Sequence, residues 1–84
     1  MQKTKHVIRR IKEGSIAEEM GMEPGDELLE IGGLTIADIF DYQYLTQDEY
    51  IEVLIRRADG EEWLLEIDKE YDEDLGIEFE NGLM

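Results

Sequence analysis

Apolar and charged residues alternate along three stretches of this chain, and elsewhere the spacing shifts to that of short helices. Ile51, Val53 and Ile55 alternate with Glu52 and Arg56, and Trp63, Leu65 and Ile67 alternate with Glu62, Glu66 and Asp68. A period of two predicts strands with one buried face. Asp59-Gly60 lies between these runs and predicts a hairpin closed by a two-residue turn. Leu75, Ile77 and Phe79 alternate with Gly76, Glu78 and Glu80, which predicts a short final strand. Residues 6–11, His-Val-Ile-Arg-Arg-Ile, read as a short first strand of edge character, with Val7 and Ile11, or Ile8, facing inward.

Between the first strand and the hairpin lies Glu13-Gly14-Ser15-Ile16-Ala17-Glu18-Glu19-Met20-Gly21-Met22-Glu23-Pro24-Gly25-Asp26-Glu27-Leu28-Leu29-Glu30-Ile31-Gly32-Gly33. Ser15 followed three residues later by Glu18 is a capping box. Ile16, Ala17 and Met20 supply one apolar stripe, and Gly21 can end the helix in the left-handed region. Pro24-Gly25 sets a turn, after which Leu29 and Ile31 alternate with Glu30 as in a half-buried strand. A second helix is expected from residue 38 to about 46, with Asp38 as its N-cap. Its apolar residues form two stripes, Ile36, Phe40 and Tyr44 on one and Ile39, Tyr42 and Leu45 on the other. One stripe is expected to pack on the sheet and the other to line a groove.

The Gly14 to Ile31 run resembles the central signature of bacterial PDZ domains, and Leu75-Gly76-Ile77 resembles their carboxylate-binding loop. The resemblance implies an α+β fold: a PDZ-like, partly open barrel or sandwich of about five strands with two helices. It also implies peptide binding by strand addition at a sheet edge. Because the loop comes last, after the hairpin, the order resembles the circularly permuted PDZ domains of bacterial proteins. The run Asp38-Ile39-Phe40-Asp41-Tyr42, followed by Asp74-Leu75-Gly76-Ile77-Glu78-Phe79, resembles more closely the N-terminal module of clostridial radical-SAM-related iron–sulfur proteins. On that resemblance Leu75, Gly76 and Ile77 form the pocket and N–H cradle, Glu78 and Phe79 the pairing edge, and Phe40 and Tyr44 the opposite wall.

Composition sharpens the picture. With 84 residues and no cysteine, the chain is expected to be one small domain, 1–84 with a core of about 6–80, held without disulfides or thiolate metal sites. Twenty-three acidic residues against eight basic ones give a net charge of −15, which argues against nucleic acid and anionic membrane as partners. Glu70, Asp72, Glu73 and Asp74 precede the loop and Glu78 follows, so a bound carboxylate there meets like charge. An internal segment carrying Lys or Arg, from the same polypeptide or a basic partner, suits the site better. The alternatives are a structural accessory domain without peptide binding and, more distantly, an acidic mimic of nucleic acid. No cofactor, metal or catalytic residue is expected: the spacing in Asp72-Glu73-Asp74 is not that of a calcium loop, and the chain is too short to enclose a sugar cleft between paired acids. His6 is assigned no role, and a cytoplasmic monomer is expected, with dimers possible only through the apolar end of Asn81-Gly82-Leu83-Met84.

Overall fold

The computed structural model describes residues 6–37 and 39–80. The proposed N-cap Asp38 and the tail Asn81-Gly82-Leu83-Met84 lie outside the described residues. The elements run β1 (Ile8–Ile11), α1 (Ile16–Glu19), β2 (Glu27–Ile31), β3 (Leu34–Thr35), α2 (Ile39–Leu45), β4 (Tyr50–Arg56), β5 (Glu62–Asp68) and β6 (Ile77–Phe79). The α+β class therefore holds, with six strands instead of about five; the extra one is the two-residue β3. They form a four-stranded sheet in the order β3-β2-β4-β5 and a two-stranded sheet of β1 and β6.

Strand β4 is the spine of the larger sheet because both its edges are paired, with β2 along one and β5 along the other. Ile51, Val53 and Ile55 stand opposite Ile67, Leu65 and Trp63 on the inner face. Those aliphatic residues join Leu28, Ile31, Ile8, Ala17, Leu75, Ile77 and Phe79 in one buried core. The other face puts Glu52 directly opposite Glu66 and Tyr50 opposite Asp68, an arrangement in which like charges repel across strands. Tyr50 Oη donates to Glu52 at 3.0 Å. That bond, with the charges of Glu52, Glu66 and Asp68 behind it, pushes the Tyr50 phenol up to about 12. Its contribution to stability is therefore complete below pH 10 and is lost as pH rises through 12. A tyrosine-ring NMR titration should give Tyr50 a midpoint near 12, which Glu52→Gln moves down toward the usual value.

The hairpin is real but its turn is longer than Asp59-Gly60 alone. Register runs out at Arg56 opposite Glu62. Arg57 N–H then donates to Glu61 O at 2.6 Å and Gly60 N–H to Arg57 O at 2.8 Å. The loop proper is Ala58, Asp59 and Gly60, with Gly60 at φ +93°, the three-residue form in which a left-handed residue follows a turn. Arg57 is held inward by the α1–β2 connection: it donates to Gly21 O at 2.8 Å and to Glu23 at 2.9 Å. It also lies 3.4 Å from Asp26 Oδ1 and 4.3 Å from the Trp63 ring centroid.

Asp26 is the buried end of that clamp, 1% exposed, and its other oxygen accepts from Glu23 N–H at 2.9 Å. Asp26→Asn keeps an acceptor but loses the charge facing Arg57. We expect it to cost about 1–2 kcal/mol, read as a fall in the urea midpoint with the slope unchanged.

The capping box is present in shifted form. Glu18 N–H donates to Ser15 Oγ at 3.3 Å, while the Glu18 carboxylate accepts from Gly14 N–H at 2.8 Å. Ser15 N–H is already bonded to Lys12 O, so the carboxylate reaches one residue further back. Gly21 ends α1 at φ +85°. The first strand is shorter than residues 6–11: Val7 makes an isolated bridge to Glu27, and a bulge interrupts β1 between Ile8 and Arg10. Ile8 is the fully buried member. His6 is packed, with Nε2 donating to Ile36 O at 2.7 Å.

Candidate functional site

Strand β6 follows a turn that is stitched onto α1. Leu75 O accepts from Ala17 N–H at 3.0 Å and Gly76 O from Lys12 N–H at 2.9 Å. Gly76 has φ +86°, and a Cβ built on it would lie 2.3 Å from Ser15 Cβ. The chain approaches α1 this closely only because residue 76 has no side chain. Gly76 N–H donates to Asp74 Oδ2 at 2.9 Å, a local turn closed by an aspartate two residues back. The amide of the predicted cradle thus already holds a carboxylate from its own chain.

On either side of the glycine, Leu75, Ile77 and Phe79 all point into the core and are buried. Glu78 points outward, where Arg9 Nε donates to it at 2.9 Å. The hydrogen bonds to Arg9, then its charge, hold the Glu78 carboxyl below its ordinary value. That stabilisation is present above the ordinary carboxylate range and disappears as pH falls. The main chain alternates as well. Gly76 O and Glu80 N–H bond back to Lys12 and Val7 across β1, and Glu78 is opposite Arg10. In an antiparallel pair the intervening residues turn their N–H and C=O groups the other way. Ile77 and Phe79 therefore present theirs at the outer edge of β6, which pairs with β1 alone among the described strands.

Helix α2 meets this strand through Tyr42. The Tyr42 ring stands edge-on to Phe79 with centroids 5.3 Å apart and planes at 85°, and Leu45 packs against the core beside it. Phe40 and Tyr44 lie on the exposed side of α2, 73% and 76% exposed. Ile36, grouped with them by spacing, is buried. The structure thus brings Leu75, Ile77 and Phe79 together with Tyr42, while Phe40 and Tyr44 stand apart in solvent.

Two residues matter here that the sequence stripes did not single out. Tyr42 faces the strand, and its signal was membership of the Ile39, Tyr42 and Leu45 stripe. Asp74 occupies the Gly76 amide, and its signal was the Asp-x-Gly spacing. Burial, then the charge of Asp74, pushes the Tyr42 phenol well above its ordinary value. Its Oη is buried and has no hydrogen-bond partner among the described residues.

Two cavities border the site and a third lies elsewhere. One of about 350 Å³ lies between Tyr42, Gln43, Thr46 and Gln47 of the α2 end and residues 71–74. A second, about 200 Å³, runs along Arg10, Lys12, Asp74, Gly76, Ile77 and Glu78. A larger one of about 400 Å³ sits away from β6, where His6, Glu30, Leu54 and Arg56 are among its walls. No three His, Cys, Asp or Glu side chains among the described residues are grouped to hold a metal ion. No helix among them is long and apolar enough to cross a membrane.

Comparison with known proteins agrees with this architecture. The family model described as a PDZ domain matches residues 7–57. The Na(+)/H(+) exchange regulatory cofactor NHE-RF2 of Oryctolagus cuniculus is 35% identical over 68 residues, covering 81% of this chain. Its counterpart in Mus musculus is 34% identical over 68 residues. The chain spans only 19% and 18% of those relatives' lengths.

Proposed function

The chain belongs to the PDZ domain family, and from that premise we propose that it recognises an internal, basic segment of polypeptide along the outer edge of β6, between that strand and α2. PDZ domains are protein-interaction modules that bind peptide partners, so recognition is the family-level function. The edge carries the finer reading. Ile77 and Phe79 turn main-chain groups outward from β1, and an extended peptide satisfies such groups by adding a strand. In this reading Leu75, Gly76 and Ile77 form the loop and apolar floor, and Glu78 and Phe79 the pairing edge. Phe40 and Tyr44 cover the peptide from the helix side by turning over it from their exposed positions.

The choice of an internal segment rests on Asp74. Its carboxylate fills the Gly76 amide at 2.9 Å, so a free C-terminus must displace it and then sit among like charges. Each such charge costs about 0.5–2 kcal/mol according to its screening. Lysine or arginine in the ligand reverses the sign. The segment belongs to the same longer polypeptide or to a basic partner in the cytoplasm. Residues 1–84 act as one domain in this proposal, and β5 and β6 stand in permuted order, which is supported by a family match that ends at residue 57. In the alternative of a structural accessory domain of a larger radical-SAM-type protein, the edge binds no peptide. The acidic-mimic alternative uses no edge at all.

An amide-resolved NMR titration separates these readings. Acetylated, amidated lysine-bearing peptides are expected to shift Ile77 and Phe79 first. Unmoved amides at both positions, with every peptide class tried, would remove the strand-addition reading.

A further inference from the structure

We propose that the outward face of the four-stranded sheet docks a basic amphipathic helix of a partner protein, at a surface separate from the β6 edge. Leucines that break the apolar–polar alternation of their strands mark this face. Leu54 lies between Val53 and Ile55 in β4, and Leu64 between Trp63 and Leu65 in β5. A polar residue is the usual occupant of such an outward position in an antiparallel sheet. The register sets Leu54 directly opposite Leu64, turned away from the core that Val53 and Leu65 enter. Leu29, the unpaired residue of the bulge in β2, borders the same cavity of about 400 Å³ as Leu54. Leucines from adjacent strands β2, β4 and β5 therefore meet in one row, with Leu64 59% exposed. At the usual strand spacing that row is about 10 Å long, which matches about two turns of helix.

Charge selects the occupant. Acids flank the leucine row on both sides: Glu52 opposite Glu66 on one, and Glu27 and Glu62 to either side of Arg56 on the other. Glu30 stands opposite Leu54 in the row itself. Arg56 is the one cation in these rows, 3.5 Å from Glu27 and 3.2 Å from Glu62, so most of the negative charge is left uncompensated. Glu52 and Glu66 repel each other across the strands, a cost that an incoming cation removes. Each flank lies two residues along the strand from the row, about 7 Å away. A helix about 10 Å wide seats its apolar stripe on the leucines and reaches both flanks with lysine or arginine. A second copy of this chain does not supply such a helix. Neither Ile16–Glu19 nor Ile39–Leu45 contains a lysine or arginine, and two chains of net charge −15 repel.

The probe is an acetylated, amidated peptide, Ala-Lys-Ala-Leu-Lys-Lys-Leu-Ala-Lys-Ala-Leu-Lys-Lys-Ala, whose leucines share one helical face with lysines on both sides. Its counterpart carries glutamine for every lysine. In an amide-resolved NMR titration Leu54, Leu64 and Glu66 should shift with the lysine peptide. That peptide should bind about tenfold tighter than the glutamine one and lose the advantage as salt is added. Leu64→Thr keeps a strand-forming residue but removes the apolar contact. It should unfold near the parent's urea midpoint and bind the lysine peptide about fivefold more weakly. Glu66→Gln separates docking from stability. It should raise the urea midpoint by relieving the repulsion from Glu52, yet weaken the lysine peptide about two- to threefold. Equal binding of the two peptides, or binding indifferent to both substitutions, would overturn the proposal. Shifts confined to Ile77 and Phe79 would overturn it too, and would leave the β6 edge standing as the only docking site. Shifts at Leu54 and Leu64 that grow with protein concentration alone would assign the face to a second copy instead. No shift at Leu54 or Leu64 under any of these conditions would remove the face as a docking surface.

Discussion

Gly76→Ala is expected to destabilise the domain by about 3 kcal/mol, from two separable sources. An alanine at φ +86° sits in the left-handed region, which costs an L-residue about 1–2 kcal/mol. The rest is crowding, because the added Cβ would lie 2.3 Å from Ser15 Cβ and 2.7 Å from Ser15 Oγ. Neither neighbour is the loose end of a long side chain, so α1 and the β6 turn must move apart. That movement breaks Ala17 N–H to Leu75 O and Lys12 N–H to Gly76 O. Gly21→Ala isolates the first source. It has nearly the same φ, +85°, with nothing within 4 Å of the added carbon, and should cost only about 1 kcal/mol. Urea unfolding followed by Trp63 fluorescence measures both. Equal losses for the two variants would mean that the close approach to Ser15 carries no weight.

Phe79→Ala should cost about 3–5 kcal/mol, the range for removing a buried aromatic ring. Phe79 is 2% exposed, meets Tyr42 edge-on, and lies 6.3 Å from the His6 ring centroid. Its loss leaves a cavity where β6, α2 and the start of β1 converge. In a small domain the total stability is only about 4–12 kcal/mol, so the variant is expected to be partly unfolded at 37 °C. Phe79→Leu, which refills much of the volume, should recover more than half of the loss. A Phe79→Ala protein as stable as the parent would contradict the placement of β6 against α2.

These two residues also show where sequence reasoning succeeded and where it ended. Alternation placed Phe79 and Ile77 on the buried face of a last strand, because a period of two survives whatever the partner strand is. The helix from Ser15 to Gly21 was equally readable, since its caps are local chemistry. The α2 stripes were not, because each carries aromatic residues and only the distant Phe79 selects Tyr42. Ile36 shared a helical spacing with Phe40 and Tyr44, but it precedes the helix and is buried in the same core as Tyr42, while those two are exposed. The hairpin turn lengthened for a similar non-local reason. Asp-Gly fits either a two- or a three-residue loop, and the inward Arg57, held by Asp26, Glu23 and Gly21, accompanies the longer one. The acids before the loop were legible as a charge, but not as a ligand for Gly76.

The most direct measurement is the dissociation constant of one lysine-bearing peptide presented twice, as its C-terminal amide and as its free acid, at fixed moderate salt. If Asp74 holds the loop amide and the edge of β6 takes an internal segment, the amide should bind at least as tightly as the acid. Binding that requires the free carboxylate, with the amide tenfold weaker or more, would contradict that account.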